Sequence, residues 1–214
     1  MGRHAQSEVD RTIVEFGYQR NQLAEDDGLV GNYKIGAWFD GNDLPDLATQ
    51  ALANANPGLG QAAPVHEGGY GFYGVFDQVL VRFSNPDERI LRGIGVVGSV
   101  VIAPDQSISV MPYFFNFGIA VRGISAERPR DTLGVGVVFG EFSSDLRTGQ
   151  RAAQAIDPTV GVQDHELALE LTYILRFREG AYFIQPDLQY IMRPGGTGQI
   201  DNALVVGTQV GINF

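Results

Sequence analysis

The sequence predicts an all-β, antiparallel, transmembrane β-barrel, and three observations predict it. Apolar and other residues alternate along most of the 214-residue chain, with turn residues between the runs. Many of these runs reach a dozen residues. A globular strand has about 5–6, whereas a tilted membrane strand needs about 9–11. Finally, mean hydropathy is near zero and no run approaches the roughly 18 apolar residues of a spanning helix. That balance is what a barrel wall gives when lipid-facing and lumen-facing residues take turns.

Nine strands are expected, near 12–20, 32–40, 69–83, 92–103, 110–123, 131–142, 165–177, 181–192 and 203–214. Helical periodicity is hard to find. The clearest strand is "HELALELTYILRF". One face carries Leu167, Leu169, Leu171, Tyr173, Leu175 and Phe177. The other carries Glu166, Ala168, Glu170, Thr172, Ile174 and Arg176. A tight turn at Arg178 to Gly180 leads into the next strand, which sets Tyr182, Ile184, Pro186, Leu188 and Tyr190 against Ala181, Phe183, Gln185, Asp187 and Gln189. "MPYFFNFGIAVRG" and "DTLGVGVVFGEF" alternate likewise. "GFYGVFDQVLVRF" is less tidy, because either register leaves Asp77 or Gln78 among apolar neighbours, and a bulge there is expected.

A membrane barrel gathers aromatics at its two interfaces. If the last strand runs down, the lower ends carry Phe214, Tyr182, Phe177, Phe83, Tyr33 and Tyr18. The upper ends carry Tyr190, Phe139, Tyr113, Tyr73 and Phe39. The upper links are 193–202, 143–164, 104–109 and 41–68. The lower ones are 178–180, 124–130, 84–91 and 21–31. Both long links fall on one side, as outer loops do. The Ala-, Asn- and Gly-rich link 41–68 is expected to fold partly inward or to form a short helix.

Nine is odd, whereas bacterial single-chain barrels have even strand numbers. "MGRHAQSEVDRTIVEFG" has no apolar leader stretch. The chain therefore reads as one domain over 1–214, the C-terminal part of a longer barrel. Its last strand alternates Leu204, Val206, Val210, Ile212 and Phe214 with small or polar residues. That strand must be paired to remove a sheet edge.

Composition excludes other classes. The net charge of −10 argues against a nucleic-acid partner. No Cys is present, which excludes disulfides and thiolate metal sites. Of three His, only His165 is flanked by acids on both sides, in "DHE" at Asp164 to Glu166. Strand neighbours point to opposite faces, and the spacing is not HExxH. No cofactor is expected. Two competing readings remain: a soluble β-sandwich that binds carbohydrate, and an outer-membrane barrel hydrolase pairing His165 with Ser143 or Ser144.

Taken in order, "GNYKIGAWFDG", "GGYGFYGVFDQVLVRF", "FNFGIAVRGISAERPRDTLGVGVVFGEFS", "HELALELTYILRFREGAYFIQPDLQYIMRPGG" and "DNALVVGTQVGINF" resemble the carbohydrate-selective outer-membrane porins of the OprB type. The resemblance covers about 31 to 214. It implies a sixteen-stranded barrel in the outer membrane of Gram-negative bacteria, passing sugars by diffusion, with a little over half of the wall in this chain. It also implies that the terminal Phe214 is read by the barrel-assembly machinery. On this reading Asn116, Arg122, Glu166, Glu170, Arg176, Gln185, Asp187 and Gln189 line the lumen and meet sugar hydroxyls. Phe114 and Phe183 point inward beside them as stacking faces, and lipid covers the opposite side.

Overall fold

The computed structural model describes residues 11–22, 28–59, 62–84 and 91–213. Nine strands form a single sheet: β1 (Arg11–Arg20), β2 (Gly31–Pro45), β3 (Val65–Arg82), β4 (Gly93–Ile102), β5 (Tyr113–Arg122), β6 (Thr132–Glu141), β7 (His165–Phe177), β8 (Tyr182–Met192) and β9 (Ala203–Ile212). Each strand pairs antiparallel with its sequence neighbour, so the order in space is the order in the chain, and β1 and β9 are the two edges. Two helices occupy the upper links: α1 (Leu47–Ala55) and α2 (Ser144–Gln154). Among the described residues no helix is long and apolar enough to cross a membrane, which says nothing of strands.

The strands sort the sequence onto two faces. On β7 to β9, Leu169, Tyr190 and Leu204 share one face, and Glu170, Gln189 and Val205 the other. The apolar face has no cover among the described residues. Phe16 is 70% exposed and Val206 76%. A sandwich would bury these side chains against a second sheet, so the sandwich reading fails. The buried apolar cluster lies instead at the upper end, where Leu47, Phe142 and Leu146 pack with Ala51 and Met111.

Three departures from the sequence reading have physical causes. β2 and β3 run beyond 32–40 and 69–83, because the ladder shifts register between Asp40 and Asp43 and then continues to Pro45 and Val65. The Asp40 carboxylate accepts the Asn42 backbone N–H at 3.1 Å and holds that bulge. The second bulge falls between Val79 and Val81, just past the expected place. It leaves Asp77 on the polar face, where Asn32 donates to it at 2.9 Å, and Gln78 on the apolar face, where it donates to the Val30 carbonyl at 3.0 Å. Finally, β5 starts at Tyr113 rather than 110, because Met111 turns away into the apolar cluster.

The aromatic ends are corrected at one position. Tyr73 pairs with Gly36 on the polar face, and its hydroxyl donates to Glu15 at 2.7 Å. Phe39 pairs with Tyr70 on the apolar face instead, and Tyr70 meets Phe72 edge-on at 6.0 Å. Tyr18 and Tyr33 stack at 6.2 Å at the lower end. Phe83 lies beyond β3, under the Arg92 guanidinium. Phe214 lies outside the described residues.

Candidate channel-lining face

Pairing partners in an antiparallel sheet point to the same side. Asn116 on β5 lies opposite Ser99 and Val138, and Val138 opposite Ala168. From this row the alternation places all eight sequence candidates on one face: Asn116 and Arg122 on β5, Glu166, Glu170 and Arg176 on β7, and Gln185, Asp187 and Gln189 on β8. Phe114 and Phe183 share it.

The eight fall into four sets. Asn116 is central and donates to Ser99 Oγ at 2.6 Å. Glu166, Glu170, Asp187 and Gln189 form an acid and amide cluster in the upper half. There Gln189 donates to Glu170 at 3.3 Å, and Glu166 accepts the Gly195 N–H of the last upper link. Gln185 reaches back to Thr172 at 3.1 Å. Arg122 and Arg176 stand apart at the lower end, where Arg122 lies opposite Gly93 and Thr132.

Glycines on this face make room for long neighbours to lie flat. A Cβ on Gly207 would come within 2.4 Å of Asp187 Oδ1, and one on Gly71 within 2.0 Å of the Trp38 ring. The wall is therefore polar without being crowded by projecting side chains.

The first three strands add polar groups that the sequence reading did not single out. Arg11 bonds Asp40 at 2.9 Å, and Glu15 is shared by Lys34 at 2.9 Å and Tyr73 at 2.7 Å. The signal was present in "RTIVEFGYQR", where Arg11, Glu15 and Gln19 alternate with Val14, Phe16 and Tyr18.

The upper links lean over the polar face. Ile108 Cδ1 would meet a Cβ on Gly69 at 3.2 Å, and Met111 Sδ one on Gly140 at 2.4 Å; both glycines belong to that face. On this loop sit the helices. Leu47 N donates to Ser107 O at 2.8 Å, and Ser143 N to Val110 O at 3.0 Å. α1 is the short helix expected in 41–68. α2 was missed, although Ser143 caps it through Asp145 N and Leu146 N, both at 3.1 Å.

The same contacts bear on the hydrolase candidates. The Ser143 hydroxyl is buried and also donates to the Gln106 carbonyl. His165 is held by Asp164 at 2.9 Å, and Asp164 also binds Arg147 at 2.8 Å. Among the described residues no three His, Cys, Asp or Glu side chains converge as metal ligands.

Below the sheet, Asp131 ties the β5–β6 turn to β7. It accepts two bonds from Arg128, at 2.8 and 3.0 Å, plus the Arg176 N–H at 2.9 Å and the Tyr173 hydroxyl at 3.2 Å. Burial pushes its carboxyl up, but the Arg128 guanidinium and the other donors outweigh burial and hold it below the ordinary carboxylate range. A lowered folded value means stability that is full above the unfolded pKa, near 3.9, and lost as pH falls through the folded one. Protection of the 123–131 amides from hydrogen exchange is therefore expected to hold at pH 6 and to fall progressively below about pH 4. Exchange insensitive to acid would contradict the assignment.

The chain is 25% identical to Porin B of Pseudomonas aeruginosa over 205 residues, which cover 92% of this chain and 44% of that protein. Among solved structures, the high-pH structure of Pseudomonas putida OprB matches with a TM-score of 0.78 at 23% identity, over 94% of this chain and 48% of that one. The chain thus spans under half the length of these relatives. Residues 6–214 match the family model described as carbohydrate-selective porin, OprB family, and the chain belongs to that family of bacterial outer-membrane porins.

Proposed function

We propose that this sheet forms part of the wall of a passive outer-membrane channel for carbohydrates. One observation carries the reading: a single register sets the charged and amide candidates on one face and leaves the other apolar and, among the described residues, uncovered. Lipid suits the second face, and a wet lumen the first. Over the face as a whole, charges of both signs offer donors and acceptors to hydroxyls without a strong net field for one ion. Phe114 and Phe183 give flat faces for sugar rings. The eight candidate side chains then line the passage, and chemistry is not asked of them: Ser143 is committed to a helix cap and His165 to Asp164.

An open sheet encloses no pore, so both edges need partners. β1 and β9 are both odd in an alternating series and run in the same direction. Joining them directly would make a parallel pair. An antiparallel ring needs an odd number of further strands, which agrees with the sixteen of the family resemblance. The domain we propose is accordingly one part of a larger barrel, with its longer links outward.

The test is sugar flux through the purified barrel that contains this chain, reconstituted in liposomes. Glucose entry above that of protein-free vesicles, slowing as the sugar grows, is expected. No entry with a folded barrel would overturn the reading. The assembly machinery is the proposed partner of the last strand, so Phe214→Asp is expected to reduce barrel in the outer membrane about tenfold or more, since a charge would replace the aromatic that follows that strand in the sequence. Normal amounts of that variant by heat-modifiable gel mobility would refute the partner.

A further inference from the structure

We infer that the lower end of the polar face holds a site for the carboxylate of an acidic sugar, an inference that rests on the channel proposed above. Gly93, Gly95 and Ala120 floor a hollow of about 350 Å³, and Arg122, Thr132 and Arg176 wall it. Because Arg122 faces Gly93 across the ladder, no side chain of that residue fills the space beside the guanidinium. Arg130, in the β5–β6 turn that follows Arg122, adds a third cation at this end.

Two other arginines at the same end are already engaged. Arg128 is neutralised by Asp131, and Arg92 donates to the Gly123 carbonyl at 2.8 Å and to the Ser84 carbonyl at 3.0 Å. Among the described residues, Arg122, Arg130 and Arg176 have no carboxylate within salt-bridge distance. The Arg176 Nε is buried with no partner. Two arginines that wall an unfilled hollow, with a third in the adjoining turn, are relieved by an anion, and a guanidinium fork matches a planar carboxylate with two parallel bonds.

Asp131 accepts the Arg176 N–H but is matched in charge by Arg128, and the acids farther along the strands do not cancel this field. Glu170 lies six residues along β7 from Arg176, roughly 20 Å at about 3.3 Å per residue. Asp77 lies opposite Val97, four residues along β4 from the Arg122 partner Gly93 and so roughly 13 Å away. Both distances exceed the Debye length of about 8 Å at physiological salt. Asp77 reaches the same hollow from its far side. There it accepts hydroxyls, as Thr132 does nearer the arginines. A hydroxylated body with one carboxylate fits this order of groups; a bare anion uses only half of it.

The experiment uses the full barrel in liposomes, with glucuronate and glucose as probes of like ring and different charge. Arg122→Gln with Arg176→Gln is expected to lower the glucuronate-to-glucose flux ratio about tenfold, the loss of one charge-assisted bond. Arg122→Lys keeps the charge without the fork and is expected to lower it about two- to threefold. Arg20→Gln, on the apolar face of β1 at the same end, should leave the ratio unchanged. A second measurement needs no variant: glucuronate should slow wild-type glucose entry more than equal chloride does. Glucose flux with a ratio unmoved by the double substitution, or with glucuronate no better than chloride, overturns the site alone. Absence of any glucose flux overturns the channel and the site together.

Discussion

Leu171→Arg is expected to destabilise the assembled sheet by about 2–4 kcal/mol, the cost of an arginine facing the hydrocarbon midplane of a barrel. Leu171 is central on β7, between Val135 of β6 and Leu188 of β8, and all three are on the apolar face. No carboxylate shares that row, and water cannot reach it in lipid. Ala168→Arg, three residues earlier on the same strand, is the matched control. Ala168 lies on the polar face beside Val138 and Ile191. Its guanidinium would enter the wet side near Glu166 and Glu170, so a cost below about 1 kcal/mol is expected there. Urea unfolding in detergent-free vesicles reads both variants. At about 1.4 kcal/mol per tenfold, the first change shifts the folding equilibrium by roughly 30- to 1000-fold. Equal costs at the two positions would mean that both faces meet the same solvent, and the barrel assignment would fall.

The contrast between Leu171 and Ala168 was legible in the sequence because β7 keeps an unbroken period of two from His165 to Phe177. The expected bounds, 165–177, match the strand. Where aromatics fall on both phases the signal fails. In "GYGFYGVF", Tyr70 and Phe72 compete with Tyr73, and only the ladder with β2 shows that Tyr73 belongs to the polar side. The link between Glu15, Lys34 and Tyr73 could not be read at all, since it joins three strands and depends on their register. α2 was overlooked for another reason. Its sequence "SDLRTGQRAAQ" has a cap, an acid in the first turn and an arginine in the last, but only Leu146, Gly149 and Ala153 are buried. These fall at helical spacing, but Leu146 is the one large apolar side chain among them, so the stripe is faint to read. Their partner face comes from α1, nearly a hundred residues earlier.

Those contacts give the other large expected effect. A Cβ on Gly149 would stand 2.2 Å from the Ala48 carbonyl oxygen and 2.6 Å from its Cα. Both are backbone atoms of α1 and cannot swing aside. Helix propensity alone favours Gly149→Ala by roughly 1 kcal/mol. Overpacking costs about 1–3 kcal/mol, more for a larger side chain, so the clash wins and Gly149→Leu should drive the helices apart. The sheet should survive, because the cluster of Leu47, Phe142 and Leu146 joins the helices to each other and to the upper loops. Hydrogen exchange is therefore expected to quicken in 47–55 and 144–154 while β4 to β8 keep their protection. Through Ile108 and Met111 this helix pair rests over the upper end of the polar face. Loosening it should widen the passage and raise entry of a trisaccharide relative to glucose. Unchanged exchange in both helices would mean that α1 and α2 do not pack through Gly149. Faster exchange with the size preference intact would place the pair beside the passage rather than over it, and the width would then be set by the wall itself.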